Sequence, residues 1–161
     1  MTREQKRIEL IIGTSGRFEL IADLIRGGHF KVTPVAGELL QGIPLATVET
    51  KLIVVIRSLR ELGLENGGSF EDIYGAGQRN SLTQVPGETG PRYRLRYRDQ
   101  RGDEYIRMMM EPLPTSKGTS IFSVYRGHLG TNGPAPSQKK NAREEVKLWG
   151  KTTLWAFAEQ V

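Results

Sequence analysis

A chain of 161 residues, 37% hydrophobic and 25% charged, is long enough for one domain with a core of its own. It contains no cysteine, which excludes disulfides, thiolate metal sites and cysteine nucleophiles. The net charge of +5 favours acidic partners, and the charged start Met1–Arg7, followed by no long apolar run, predicts a cytoplasmic protein with no membrane partner.

The first apolar stretch, Ile8–Ile12, ends in Gly13-Thr14-Ser15-Gly16. Phe18, Leu20, Ile21, Leu24 and Ile25 then follow helical spacing, with Glu19, Asp23 and Arg26 opposite. A strand pair of 8–12 with 17–22 is the competing reading. Phe30–Thr33 alternates as a short strand, and Pro34 opens a short helix that runs to Leu40. Leu45, Val48, Leu52, Val55, Leu59 and Leu62 recur at spacings of three and four, which predicts a long amphipathic helix over 45–62 closed by Gly63. Ile53–Ile56 is β-branched throughout and locally prefers a strand; the longer pattern outweighs it. Residues 65–91, rich in Gly, Asn, Ser and Pro, read as a glycine-rich loop with at most a short strand near Phe70–Tyr74.

Arg92–Arg98 alternates strictly, which predicts a strand with four arginines on one face and Tyr93, Leu95 and Tyr97 on the other. Asp99–Asp103 forms the turn, Glu104–Glu111 the returning strand, and Ile121–Tyr125 a third strand of the same meander. The expected fold is α+β, an antiparallel β-meander packed on the long amphipathic helix. Residues 1–126 form the domain and 127–140 a flexible linker. Residues 141–161 form a C-terminal element, helix or strand, that docks on the same domain or on a second subunit through Trp149, Trp155 and Phe157.

The arginine strand is the main functional signal. Side chains two apart on a strand are roughly 6.6–7 Å apart, close to the spacing of backbone phosphates. The expected function is therefore non-catalytic binding of DNA or RNA. Arg92, Arg94, Arg96, Arg98 and Arg101 would contact phosphates, Tyr97 and Trp149 would stack on bases, and Lys147 and Lys151 would add charge. The plain alternative is a solvated strand face paired with Glu104 and Glu111. Two other functions stand beside it. One is a protein-interaction or oligomeric assembly subunit that uses the C-terminal aromatics and a sheet edge to bind copies of itself or an acidic partner. The other is a winged-helix-like regulator, with a helix-turn-helix over 34–62 and 92–111 as the wing. Neither His29 nor His128 has metal-ligand spacing around it, and no motif calls for a cofactor, a metal or an enzyme nucleophile.

Overall fold

The computed structural model describes residues 6–26, 29–132 and 148–160. In chain order the elements are β1 (Arg7–Ile12), α1 (Arg17–Ile25), β2 (Lys31–Val32), α2 (Pro34–Gly42), β3 (Thr50–Ser58), α3 (Phe70–Arg79) and β4 (Leu82–Thr83). They continue with α4 (Thr89–Arg96), β5 (Tyr105–Met108), β6 (Leu113–Thr115), β7 (Gly118–Tyr125), β8 (His128–Asn132) and β9 (Leu154–Glu159). The protein is mixed α/β, with four helices and a mostly antiparallel nine-stranded sheet among the described residues. The main strand order is β1-β3-β9-β5-β7-β8-β2; β4 pairs with the far half of β9, and β6 pairs with the start of β7. Among the described residues only β5·β9 and β2·β8 are parallel. Among the described residues no helix is long and apolar enough to cross a membrane.

The expected helix over 45–62 is not there. Its centre is β3, flanked by β1 and β9, and Val54, Val55 and Ile56 are all buried. Both faces of the strand are covered, so its residues form a continuous apolar run instead of alternating. The spacing of three and four came from residues in unrelated places. Val48 is 69% exposed in the preceding loop, while Leu59 and Leu62 are buried in the turn that follows. A helix-turn-helix over 34–62 is thereby excluded, because α2 leads into a strand.

The expected strand over 92–98 is also absent; that segment is α4 and its C-terminal extension. In its place the meander runs through β5, β7 and β8, with β9 inserted in parallel beside β5. Residues 128–132 of the expected linker form β8, while 133–140 lie outside the described residues. The expected loop 65–91 contains α3, closed at its start by a capping box. There Asp72 N–H donates to Ser69 Oγ at 3.2 Å, and Ser69 N–H donates to Asp72 Oδ2 at 3.0 Å.

The helices sort onto two faces of the sheet. Gly90 of α4 lies against Phe122, so α4 packs on the face that carries Phe122, Ile106 and Ala156. α1 and α2 pack beside it. α3 covers the opposite face, where a Cβ on Gly77 would stand 2.4 Å from the Phe157 ring. α4 touches β1 at one edge of the sheet and also β7 and β8, which lie four and five places away. At about 4.8 Å per strand, one helix meets both only where the sheet curls around it.

α4 is fixed at its start by an enclosed carboxylate. Glu88, 0% exposed, accepts from Gly13 N–H at 2.8 Å, Ala46 N–H at 2.9 Å and Arg92 Nε at 2.8 Å. Arg92 in turn donates to Ser15 Oγ and Ser15 O, both at 3.0 Å. Gly13 is obligatory here: its φ is +78°, and a Cβ would sit 2.2 Å from the Val48 carbonyl oxygen. Burial alone would raise the Glu88 pKa, but the hydrogen bonds from Gly13, Ala46 and Arg92 outweigh it and hold the carboxyl below its ordinary value. The folded state therefore binds fewer protons at this site than the unfolded chain. Its stabilisation is complete above the ordinary value of 4.5 and fades as the pH falls through the lower folded pKa. Glu88→Gln should cost about 3–5 kcal/mol at neutral pH, because it strands the Arg92 charge. Thermal melts of both proteins across the acid range should show the wild type losing stability more steeply than the variant; parallel curves would contradict the assignment.

Candidate anion-binding rim

The arginine run divides between the core and the surface, because a helix turns successive arginines in different directions. Arg92 is 7% exposed and paired with Glu88. Arg94 is 0% exposed. Its Nη1 donates to Gln100 Oε1 at 2.7 Å, Tyr125 O at 2.6 Å and His128 O at 3.2 Å, and its Nη2 donates to Tyr97 O. Burial pulls its pKa down, opposed by Tyr93 and Tyr97. These acceptors and the Phe30 ring, 4.9 Å away, hold the guanidinium in place of a carboxylate. The shared strand face of four free guanidinium groups is therefore corrected: Arg92 and Arg94 are internal, and only Arg96 and Arg98 reach solvent.

The other expected site residues also scatter. Tyr97 is 8% exposed and donates to Glu104 Oε2 at 2.8 Å; burial, followed by that bond, pushes its hydroxyl up to about 12. Trp149 is 5% exposed, packs edge-on against Trp155 at 5.2 Å and exchanges backbone hydrogen bonds with Gly68, so it is a core residue and not an open stacking platform. Arg101 is exposed and lies 3.4 Å from Asp103. Lys151 is exposed at the mouth of a separate groove, and Lys147 lies outside the described residues.

What the structure does gather is a set of cations that no local pattern announced. β5 and β9 begin at one end of the sheet, where β7 also hands over to β8 and where β2 starts. α1 and α4 finish there. A groove of about 430 Å³ opens at this end, lined by Arg26, His29, Phe30, Leu95 and Arg98, with Asp23 as its acidic member. The Arg98 guanidinium lies 5.7 Å from the Phe30 ring centre. Lys31 continues from Phe30, donates its backbone N–H to Gly127 O at 2.8 Å and is paired in register with His128. Arg126 sits in the same turn, where its carbonyl accepts from His128 Nδ1 at 2.8 Å. Arg26 has a distant partner, Asp23 at 3.7 Å. Lys31, Arg98 and Arg126 are exposed and have no ion-pair partner among the described residues.

On the opposite sheet face the same end carries a stacked column. Arg107 lies over Tyr105 at 4.6 Å, Tyr105 stacks on Tyr125 at 4.8 Å, and Tyr125 stacks on His128 at 4.7 Å. The rings lie within 9° and 13° of parallel, so each occupies its neighbour's face.

Among the described residues no group of three or more His, Asp or Glu side chains could hold a metal ion. No family model matches the chain, and no curated protein or solved structure matches it significantly.

The division of the arginine run has a measurable consequence. Arg94→Ala takes the donor from four acceptors, two of them buried, and opens a cavity, so it should cost about 3–5 kcal/mol in denaturant unfolding. Arg98→Ala should stay within about 0.5 kcal/mol of wild type. Equal effects for the two would deny that one is internal and the other external.

Proposed function

We propose that this protein is a non-catalytic nucleic-acid-binding protein that grips phosphates with the rim formed by Arg26, Lys31, Arg98 and Arg126. The observation that carries this reading is that Arg26 and Arg98 line a groove with one carboxylate at the end of the sheet where Lys31 and Arg126 also lie, three of these four cations being without an ion-pair partner among the described residues. Guanidinium forks suit phosphate oxygens, and His29 and His128 add donors at the same end. Phe30 supports the groove from below but is 9% exposed, so binding is carried by charge more than by base stacking.

Such binding is salt-dependent. Engaging about three phosphates gives a slope of about −2 to −3 in log K against log salt. Fluorescence anisotropy with labelled single- and double-stranded DNA and RNA across a salt series should show this. Arg98→Ala/Arg126→Ala should lower affinity at least about tenfold at low salt and flatten the slope by about 1.5. Arg79→Ala, at the end of α3 on the other sheet face, should change neither. Unaltered affinity and slope in the double variant would remove the rim from the site.

A second reading, self-association, has its own support. Among the described residues β1 is a terminal strand with a neighbour on one side only, and α1, which follows it, exposes Phe18 at 82% and Ile25 at 59%. Open edges and exposed apolar side chains are the usual ingredients of contacts between chains. The C-terminal aromatics do not contribute, because Trp149, Trp155 and Phe157 are buried within the chain itself. Sedimentation equilibrium should then give a dimer that Phe18→Glu dissociates; a wild-type monomer at every concentration would end this reading.

A further inference from the structure

The outer side of β1 carries backbone groups in strand register and no strand to meet them. Ile56 N–H donates to Lys6 O at 2.8 Å, which fixes the phase of the β1·β3 ladder. Lys6, Ile8, Leu10 and Ile12 turn their backbone groups towards β3, so Arg7, Glu9 and Ile11 turn theirs away from it. No strand lies on that side among the described residues, and all three residues are exposed. Such an edge is a template for one more strand.

A groove of about 320 Å³ opens between this edge and α4, lined by Glu9, Leu10, Ile11, Arg92, Leu95 and Arg96. Arg92, Leu95 and Arg96 are three and four apart, so they share the helix face turned to β1. Leu10, Leu95 and Ile11, the last 43% exposed, make the groove largely apolar. An open edge flanked by an apolar groove supplies both parts of strand addition. Backbone hydrogen bonds hold the added segment, and its alternate side chains enter the groove.

The charges select the segment. Arg7 is 2.7 Å from Glu159, Glu9 is 3.6 Å from Lys51 and Arg92 is 2.8 Å from Glu88, so these are answered within the chain. Arg96 is exposed and has no ion-pair partner among the described residues. A complementary strand therefore brings an acid to the groove, with apolar residues two places away on the same face. A second copy of β1 does not supply this. Paired two-fold in one sheet, it offers Ile8, Leu10 and Ile12 to the groove and adds another Arg96 instead of an acid. We infer that β1 accepts an extended acidic segment of another protein as an added strand, its apolar side chains entering the groove beside Leu95 and its carboxylate meeting Arg96. This site rests on neither function proposed above, and a second copy on β1 would compete for it.

The probe is the peptide acetyl-Thr-Val-Thr-Glu-Thr-Val-Thr-amide, which presents Val, Glu and Val on one face in either direction. Titrated into the full chain, it should give saturable amide NMR shifts centred on Arg7, Glu9, Ile11 and Leu95. Two forms N-methylated at alternate residues, one in each phase, should separate: the phase that removes the N–H groups facing β1 abolishes binding, and the other keeps it. A peptide with Lys in place of Glu should bind about three- to tenfold more weakly. The exposed Arg96→Glu should reverse that preference. No saturable shift at these amides, equal behaviour of the two methylated forms, no preference for Glu over Lys, or an unreversed preference in Arg96→Glu overturns the inference. So does a wild-type dimer whose Glu9 and Ile11 amides are already protected from exchange, which assigns the edge to a second copy.

Discussion

Three segments far apart in the chain meet at one carboxylate. Glu88 takes the backbone N–H of Gly13 from the β1–α1 turn, the N–H of Ala46 from the loop before β3, and the guanidinium of Arg92 one helical turn further along α4. A buried carboxylate is tolerable only when its acceptors are used, and these are. The constraint runs both ways. Arg92 is oriented by Glu88, so its remaining nitrogens reach Ser15 and close the same turn from the other side. With its first turn fixed in this way, α4 lies inside the curl of the sheet, which explains why a helix of eight residues has six of them buried.

The far end of α4 is tied down by another means. Arg94 spreads its donors over carbonyls from β7, β8 and the segment that leaves α4, so it fastens the β7–β8 turn to the helix without any partner carboxylate. Many neutral dipoles share one charge here, which keeps the local acid count low. The cations at this end of the sheet therefore have no ion-pair partner among the described residues, apart from Asp23 beside Arg26.

How much of this is legible in the sequence depends on whether the signal is local. α1, β2 and α2 follow from spacing and from Pro34, and β5 and β7 from alternation between turn residues. β3 was obscured because Val54 and Val55 are buried on opposite faces, leaving no period of two to read; the β-branched run was the better witness. α3 carried a readable capping box in Ser69 and Asp72, masked by Gly75 and Gly77, although Gly77 is there to admit the Phe157 ring. α4 misled because alternating arginines read as a strand face, whereas Glu88 and Arg92, four apart, were the helical pair. Of the candidate rim, Arg98 was visible as charge. Arg26, Lys31 and Arg126 were not, since only strand pairing and the close of α1 bring them together.

The turn that presents the rim is restrained on both faces of the sheet. On one side Arg94 bonds the carbonyls of Tyr125 and His128; on the other, the side chains of those two residues stack on each other and on Tyr105. Gly130 is part of the same arrangement, because a Cβ there would stand 2.7 Å from the Tyr125 ring and push it off the column. A turn held in this way loses little conformational freedom when its exposed cations meet an anion. The cost of ordering, which weakens most flexible basic loops, is largely met during folding. Under the proposed function the column would contribute through rigidity, although the faces of its aromatic rings are already occupied.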